Sequence, residues 1–177
     1  MNKQIRQLAQ GAWVLSFALL GNSFLVHQAW AADSAVKEIR GPIWVSVPAS
    51  GTKLQSIKLT APANGYVTIT ATGAMNYEHT EGTAGNYCLD LHNVANYVGG
   101  CTPDAGSDTA IRSYIPVNFP TTQVGYGTSD SYSIVRTWQV FAGRSYTFYL
   151  NGLANNLGKT YLFHPTLTAV YNPKALQ

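Results

Sequence analysis

One stretch of the chain, residues 61–74, limits the possible fold more than any other. It opens with turn-forming residues at 62–65 and then alternates between apolar and hydroxyl-bearing side chains. Val67, Ile69 and Ala71 fall on one face of this stretch, while Tyr and Thr residues fall on the other. A period of two in β-branched and aromatic residues predicts a half-buried antiparallel strand.

The same alternation returns at short intervals along the rest of the chain. It is clearest at residues 86–92, 132–141 and 144–150. The short Ala142-Gly143 link between the last two predicts a hairpin. No stretch after residue 31 has a helical period. The pattern indicates about eight to ten short strands, and it predicts an all-β, two-sheet antiparallel β-sandwich of jelly-roll type.

Glycine and proline predict where individual strands stop. Gly73 separates the strand that begins at Tyr66 from a second strand at residues 74–79. Pro116 confines its strand to a sheet edge or a bulge, because proline cannot donate to a ladder of hydrogen bonds. Residues 32–40 are polar, and we expect them to be loose or to form an early edge segment.

The first 31 residues have the composition of an export signal. Lys3 and Arg6 precede a long uncharged stretch, and Ala29-Trp30-Ala31 has the small-x-small form of a cleavage site. We therefore expect cleavage after Ala31 and a single β-sandwich domain over residues 32–177. That domain would be secreted, extracellular or periplasmic, and free of the membrane. The alternative is an uncleaved anchor, because the uncharged stretch is long enough to span a bilayer.

The charge of the expected mature chain is close to balance. Removing Lys3 and Arg6 from the eleven Lys and Arg leaves nine, against eight Asp and Glu. No cluster of Lys and Arg is present in the sequence. A nucleic acid is therefore not an expected partner, since binding a phosphate backbone requires a concentration of positive charge.

The only two cysteines, Cys88 and Cys101, both follow the export signal. In an oxidising compartment they are expected to form one disulfide. The loop it closes would contribute about 3 kcal/mol to stability in the chain-entropy model. The alternative role is a thiolate metal ligand or nucleophile, but no CxxC pair supports it.

Three pieces of the chain resemble the C1q/TNF-like jelly-roll superfamily. Residues 61–71 are similar to the family's AP-x-x-G-x-Y strand, residues 140–150 to a late strand pair, and residues 167–173 to the closing strand. Together they cover about a fifth of the mature chain. The resemblance implies a homo-oligomer, with a trimer favoured, that recognises partners through loops and outer faces and performs no catalysis.

A small cluster of possible metal ligands lies near the first cysteine. Asp90 and His92 share one strand face with Cys88, and His79 would lie on a neighbouring strand. Imidazole and carboxylate groups are ligands for zinc or copper. The alternative is that these are polar residues beside the disulfide, and we expect no cofactor.

Tyrosine is the most frequent aromatic residue, and all eleven copies follow residue 31. Tyr77, Tyr97 and Tyr126 lie in or beside loops rich in small polar residues, and Asp104 lies in one of these loops. Aromatic stacking combined with hydrogen bonding is how proteins bind sugars, so these four residues are candidate ligand-binding residues. The alternative is that the tyrosines pack in the core or at a subunit interface.

No motif for catalysis is recognisable, and the chain is not expected to be an enzyme. The favoured hypothesis is a secreted non-enzymatic module for self-assembly and for recognition of a surface or partner. One alternative is a carbohydrate-binding module that uses Tyr-rich loops. Another is an extracellular filament subunit that donates residues 33–47 to a neighbour as an edge strand.

Overall fold

The structure is a computed structural model that describes residues 36–102, 110–124 and 129–173. The predicted export signal and its cleavage site lie outside the described residues. The described part contains a short 3-10 helix, Gly99–Cys101, and nine strands. The strands are β1 Val36–Arg40, β2 Trp44–Ser46, β3 Thr52–Thr60, β4 Gly65–Tyr77, β5 Gly85–His92, β6 Ala110–Ile115, β7 Ser129–Val140, β8 Ser145–Asn155 and β9 Thr160–Pro173.

The strands form two antiparallel sheets. The five-stranded sheet has the order β1-β9-β4-β7, and β2 also pairs with β9 beyond the end of β1. The four-stranded sheet has the order β3-β8-β5-β6. The predicted all-β, two-sheet antiparallel sandwich is therefore confirmed. In the described part of the chain, no helix is long and apolar enough to cross a bilayer.

The apolar face of strand β4 packs the five-stranded sheet against the four-stranded sheet. Val67, Ile69 and Ala71 are fully buried, as the alternation in the sequence predicts. They form one cluster with buried side chains of the opposite sheet, among them Phe148 and Leu89. Removing such apolar side chains from water provides most of the free energy that holds the sandwich together.

The predicted hairpin across Ala142-Gly143 is wrong. Strand β7 pairs with β4 in the five-stranded sheet, whereas β8 pairs with β3 and β5 in the other sheet. The turn crosses between the sheets and is fixed by the earlier turn, since the Gly143 amide donates to the Ala61 carbonyl and the Ala142 amide to Asn64 Oδ1. A tight turn limits only the local chain direction, and long-range pairing decides which sheet the next strand joins.

The predicted break at Gly73 is also wrong, because β4 continues through this residue in register with β7, and the irregularity is a bulge in the neighbouring strand β9. The pairing of β4 with β9 shifts register between Thr72 and Ala74. A Cβ at Gly73 would lie 2.7 Å from Tyr132 Oη, so the position has no room for a side chain. Two residues of β9, His164 and Pro165, form the bulge opposite Gly73, and His164 has a φ of 47°. The bulge bends the sheet without ending the strand.

The expectations for the sheet edges are confirmed. Strand β6 is an edge strand of the four-stranded sheet and stops before Pro116. Strand β1 forms an edge of the five-stranded sheet, as expected for an early edge segment. Its Ile39 packs against the core, and its Ile39 carbonyl accepts a hydrogen bond from Gln55 Nε2 at 3.0 Å. Strand β1 therefore helps to close the sandwich on that side.

Candidate functional site

Part of the outer face of the four-stranded sheet is covered by its own chain. Cys88 and Asp90 of β5 and Asn151 of β8 point away from the core, yet they are 3%, 0% and 0% exposed. The covering segment is residues 93–102, which we call the tethered loop. The Cys88–Cys101 disulfide, with a Cα–Cα distance of 5.7 Å, fixes the end of this loop to the sheet. The predicted disulfide is thus confirmed.

Hydrogen bonds connect the tethered loop to the buried polar side chains beneath it. The Gly100 amide donates to Asp90 Oδ2 at 3.0 Å, and the Asn96 amide donates to Asn151 Oδ1 at 2.9 Å. Asn151 Nδ2 in turn donates to the Val94 carbonyl at 3.0 Å. Because buried polar groups are costly without partners, these side chains hold the loop in place.

The candidate metal ligands His79 and His92 already make hydrogen bonds and ring contacts within the chain. His92 Nδ1 accepts from the Val94 amide at 3.0 Å, and its ring stacks on Tyr97 with centroids 4.0 Å apart. His79 lies elsewhere, 2% exposed, with Nε2 2.7 Å from the Thr83 carbonyl. Among residues 36–102, 110–124 and 129–173, no three His, Cys, Asp or Glu side chains are placed to hold one metal ion.

The surroundings of His92 disfavour its charged form. Partial burial lowers the pKa of His92 below its ordinary value, and the nearby Arg136 charge lowers this pKa further. The Asp90 carboxylate opposes both effects to a smaller extent. The neutral ring is the form that accepts the Val94 amide hydrogen bond.

The candidate ligand-binding residues are dispersed in the structure. Tyr77 is 3% exposed and lies in the core with its ring 5.8 Å from that of Tyr87, so it cannot stack on an external ligand. Neighbouring side chains of a strand point to opposite faces, so the Tyr77 side chain points into the core and that of Asn76 points outward. Tyr97 is 42% exposed, but its ring lies against His92. Tyr126 and Asp104 lie outside the described residues.

The outer face of the five-stranded sheet carries rows of hydroxyl groups. The pairing of β4 with β9 places Thr70 beside Thr168 and Thr72 beside Thr166. All four side chains are half-buried or exposed. Side chains two apart on a strand share a face, so these hydroxyls form a regular polar surface.

A groove of about 430 Å³ lies at the β1 side of these hydroxyl rows. We call it the polar groove, and it is lined by Glu38, Arg40, Gly41, Thr72, His164, Pro165, Thr166 and Thr168. Glu38 and Arg40 form an exposed ion pair in which Nε and Oε1 are 2.6 Å apart. The lining combines hydroxyl, imidazole, guanidinium and carboxylate groups, which suits hydrogen bonding to a polar ligand.

Three aromatic side chains lie beside the polar groove. The Trp44 ring is 4.8 Å from Phe163 and 5.8 Å from Tyr161, measured between centroids. We call these three residues the aromatic patch. Trp44 is 43% exposed, and the His164 ring, 4.2 Å from Phe163, joins the patch to the groove. The face therefore presents flat aromatic surface directly next to polar groups.

The aromatic patch is not apparent from the sequence alone. Trp44 meets Tyr161 and Phe163 only because β2 pairs with the start of β9, with Trp44 opposite Phe163. One signal was available, since Tyr161 and Phe163 are two positions apart and must share a face of their strand. Nothing in the sequence identified β2 as the neighbour of that strand.

No protein-family model matches the chain, and no curated protein matches it. Similar solved structures include a T=1 particle derived from infectious bursal virus, with a TM-score of 0.43, 9% identity and coverage of 76% of this chain and 31% of that chain. Eiger TNF from S. frugiperda has a TM-score of 0.30, 10% identity and coverage of 79% and 88%. The C-terminal domain of EclA, a sugar-binding protein, has a TM-score of 0.32, 10% identity and coverage of 76% and 79%.

The chain spans less than a third of the length of the viral capsid chain that it matches. At TM-scores this low, none of these likenesses supports a functional argument. The two-sheet architecture is compatible with a jelly-roll-like β fold. Membership of the C1q/TNF-like superfamily stays a prediction.

Proposed function

We propose that the chain is an exported, non-enzymatic β-sandwich module that binds carbohydrate on the outer face of its five-stranded sheet. The observation that carries this proposal is the aromatic patch next to the polar groove on that uncovered face. Binding sites for small polar ligands commonly combine flat apolar surface with a few convergent polar groups.

The aromatic patch supplies the apolar half of the proposed site. A sugar ring has one face of C–H groups that packs on a flat aromatic ring. Trp44 is 43% exposed and packs against its cross-strand neighbour Phe163, with ring centroids 4.8 Å apart, so its ring is accessible and its orientation is restricted. A rigid aromatic side chain loses little conformational entropy when a ligand binds.

The polar groove supplies the hydrogen-bonding half. Thr72, Thr166 and Thr168 each present a hydroxyl that both donates and accepts, which matches the hydroxyl groups of a sugar. The ion pair between Glu38 and Arg40 adds charged acceptors and donors at the groove wall. Charge-assisted hydrogen bonds are stronger than neutral ones and would orient the sugar.

The disulfide supports the exported location in this proposal. A Cys88–Cys101 bridge is typical of an oxidising compartment. The lack of catalytic activity stays part of the proposal, and an assay for release of reducing sugar from a bound polysaccharide tests it.

The proposal is tested with a glycan array and with sedimentation on insoluble polysaccharides. The mature protein is compared with Trp44→Ala, and Tyr97→Ala is the matched control because the two side chains are 43% and 42% exposed. Binding that is lost in Trp44→Ala and retained in Tyr97→Ala supports the proposed face. A folded wild-type protein that binds no glycan or polysaccharide would exclude the function.

The two forms of self-assembly predicted from the sequence stay predictions. The homotrimer implied by the C1q/TNF-like resemblance predicts a mass of three chains by light scattering. For the filament, β1 and β2 pair with β9 of the same chain, so donation of residues 33–47 would require both strands to leave their own sheet. Polymers that persist after deletion of residues 33–40 would exclude strand donation.

A further inference from the structure

The sheet edges of this sandwich differ in how they are protected from pairing with another chain. Unprotected edge strands offer a row of free backbone groups, and proteins block them with proline, charged side chains, bulges or short strands. The β1–β2 edge is interrupted by Gly41-Pro42. Strand β3 has a register shift after Lys53 and also carries Lys58. Strand β6 has six residues and ends before Pro116.

Strand β7 has no such interruption, and its two inward-facing charged residues, Asp130 and Arg136, are of opposite sign. It runs for twelve residues and pairs with β4 without a register shift. It contains no proline and no lysine. Within the described ranges, its other edge pairs with no strand. Val135, near its middle, is 55% exposed.

We infer that β7 pairs antiparallel with β7 of a second copy of this chain, about a two-fold axis at Ser133. The charges on the strand select this register. Asp130 and Arg136 lie at equal distances on either side of Ser133. Pairing about that residue therefore places each carboxylate opposite the guanidinium of the other copy, twice per interface.

Both charged groups keep capacity for this contact after their contacts within the chain. Asp130 accepts from Tyr87 Oη through one oxygen, Oδ2, at 2.9 Å. Arg136 donates through Nη1 to the Leu91 carbonyl at 3.3 Å, and its guanidinium lies 5.0 Å from the Trp138 ring. A guanidinium has five N–H donors, so the others can reach a carboxylate across the interface.

The same register also covers exposed apolar surface. Val135 would lie opposite Ser131 of the second copy, on the outer face of the joined sheet. An isologous interface of this kind buries the same patch on both copies and closes at two subunits. The assembled species is therefore a dimer with ten strands in one continuous sheet, two times the five strands of each copy.

The dimer would strengthen the proposed carbohydrate binding, although the observations that support the dimer do not depend on that function. An axis perpendicular to the joined sheet places both outer faces on the same side. Two polar grooves and two aromatic patches would then face one surface. Simultaneous binding at both would raise the apparent affinity for a repeating polymer by about 10²–10⁴-fold.

Engineered cysteines test the register directly. Ser133→Cys would lie opposite its own symmetry mate, with Cα atoms about 5 Å apart, which is within disulfide range. Val135→Cys is the matched control, because the two copies of this residue would be about 14 Å apart along the strands. We expect Ser133→Cys to form a covalent dimer on mild oxidation and Val135→Cys to remain uncross-linked. Cross-linking of neither variant, or of both equally, would overturn the register.

Charge reversal tests the interface without a cross-link. Asp130→Arg places two guanidinium groups opposite each other and should weaken dimerisation by about tenfold or more. The double variant Asp130→Arg with Arg136→Asp restores opposite charges and should recover the dimer. Light scattering gives the mass, and the melting temperature shows that each variant folds. A folded wild-type protein with the mass of one or three chains at high micromolar concentration would overturn the proposal, whatever its glycan binding.

Discussion

The outer faces of the two sheets both carry polar and aromatic residues, but these residues are covered by a loop on one sheet and exposed on the other. On the four-stranded sheet, the tethered loop covers Asp90 and Asn151 and satisfies them with hydrogen bonds. On the five-stranded sheet, the polar groove and aromatic patch lie open, with Trp44 43% exposed. A polar or aromatic residue near a surface is therefore a candidate for binding only where no other part of the chain already occupies it.

The largest expected effect is on the covered face. Replacing both Cys88 and Cys101 with Ser releases the end of the tethered loop. We expect a loss of about 3 kcal/mol in the free energy of unfolding, because the unfolded chain regains the entropy of the open loop. Thermal unfolding measures this loss. Glycan affinity of the folded variant should not change, and a parallel loss of affinity would show that the two faces are not independent.

The next effect is on the open face. Trp44→Ala removes the exposed ring of the aromatic patch, and it should weaken glycan binding by about 2 kcal/mol, or about thirtyfold. Titration calorimetry measures the affinity. Thermal unfolding should show a modest destabilisation for Trp44→Ala and for Tyr97→Ala alike, since the Trp44 ring packs on Phe163 and the Tyr97 ring stacks on His92. Tyr97→Ala should leave glycan affinity unchanged. Equal effects of both substitutions on affinity would remove the distinction between the faces.

A smaller effect should come from one hydroxyl of the polar groove. Thr72→Val keeps the shape and β propensity of the side chain but removes the hydroxyl that would hydrogen-bond to the glycan. The free energy of binding should therefore weaken by about 1 kcal/mol, which lowers the affinity about fivefold. Thr68→Val is the control, because Thr68 Oγ1 lies 3.0 Å from Thr137 Oγ1 and does not line the groove. If Thr68→Val weakened binding as much as Thr72→Val, the site would extend beyond the groove.

The smallest effect should be a pH dependence of stability from the tethered loop. The pKa of His92 is lowered in the folded state below its ordinary value of 6.5, so the unfolded chain binds the proton more readily. Stability should therefore fall as the pH drops through 6.5 and level off below the folded-state pKa. Denaturant midpoints between about pH 8 and pH 5 measure this slope. His92→Gln should reduce it, and an unchanged slope would assign it to other groups.

Much of the fold could be predicted from the sequence, because local alternation decides which side chains are buried. Val67, Ile69 and Ala71 lie in the core as predicted, and export context with two cysteines was enough to predict the disulfide. The turn at Ala142-Gly143 was misinterpreted because local turn chemistry does not specify the sheet that a strand joins.

The candidate site could not be predicted, because long-range pairing creates it. Tyr77 belongs to the core because its strand continues through Gly73 without a break. Trp44 becomes part of a surface only when β2 pairs with β9. Sequence composition identified aromatic residues as important, but only the pairing of strands separates those on the open face from those in the core.

Backbone amide shifts, followed by NMR during titration with the best-bound glycan of the array, locate the binding face directly. If carbohydrate binds on the outer face of the five-stranded sheet, the largest shifts will occur at Trp44, Thr72, Phe163 and Thr166. Residues of the tethered loop, such as Asn96 and Gly100, should show little change. The largest shifts in the tethered loop, with the open face unaffected, would exclude the proposed site.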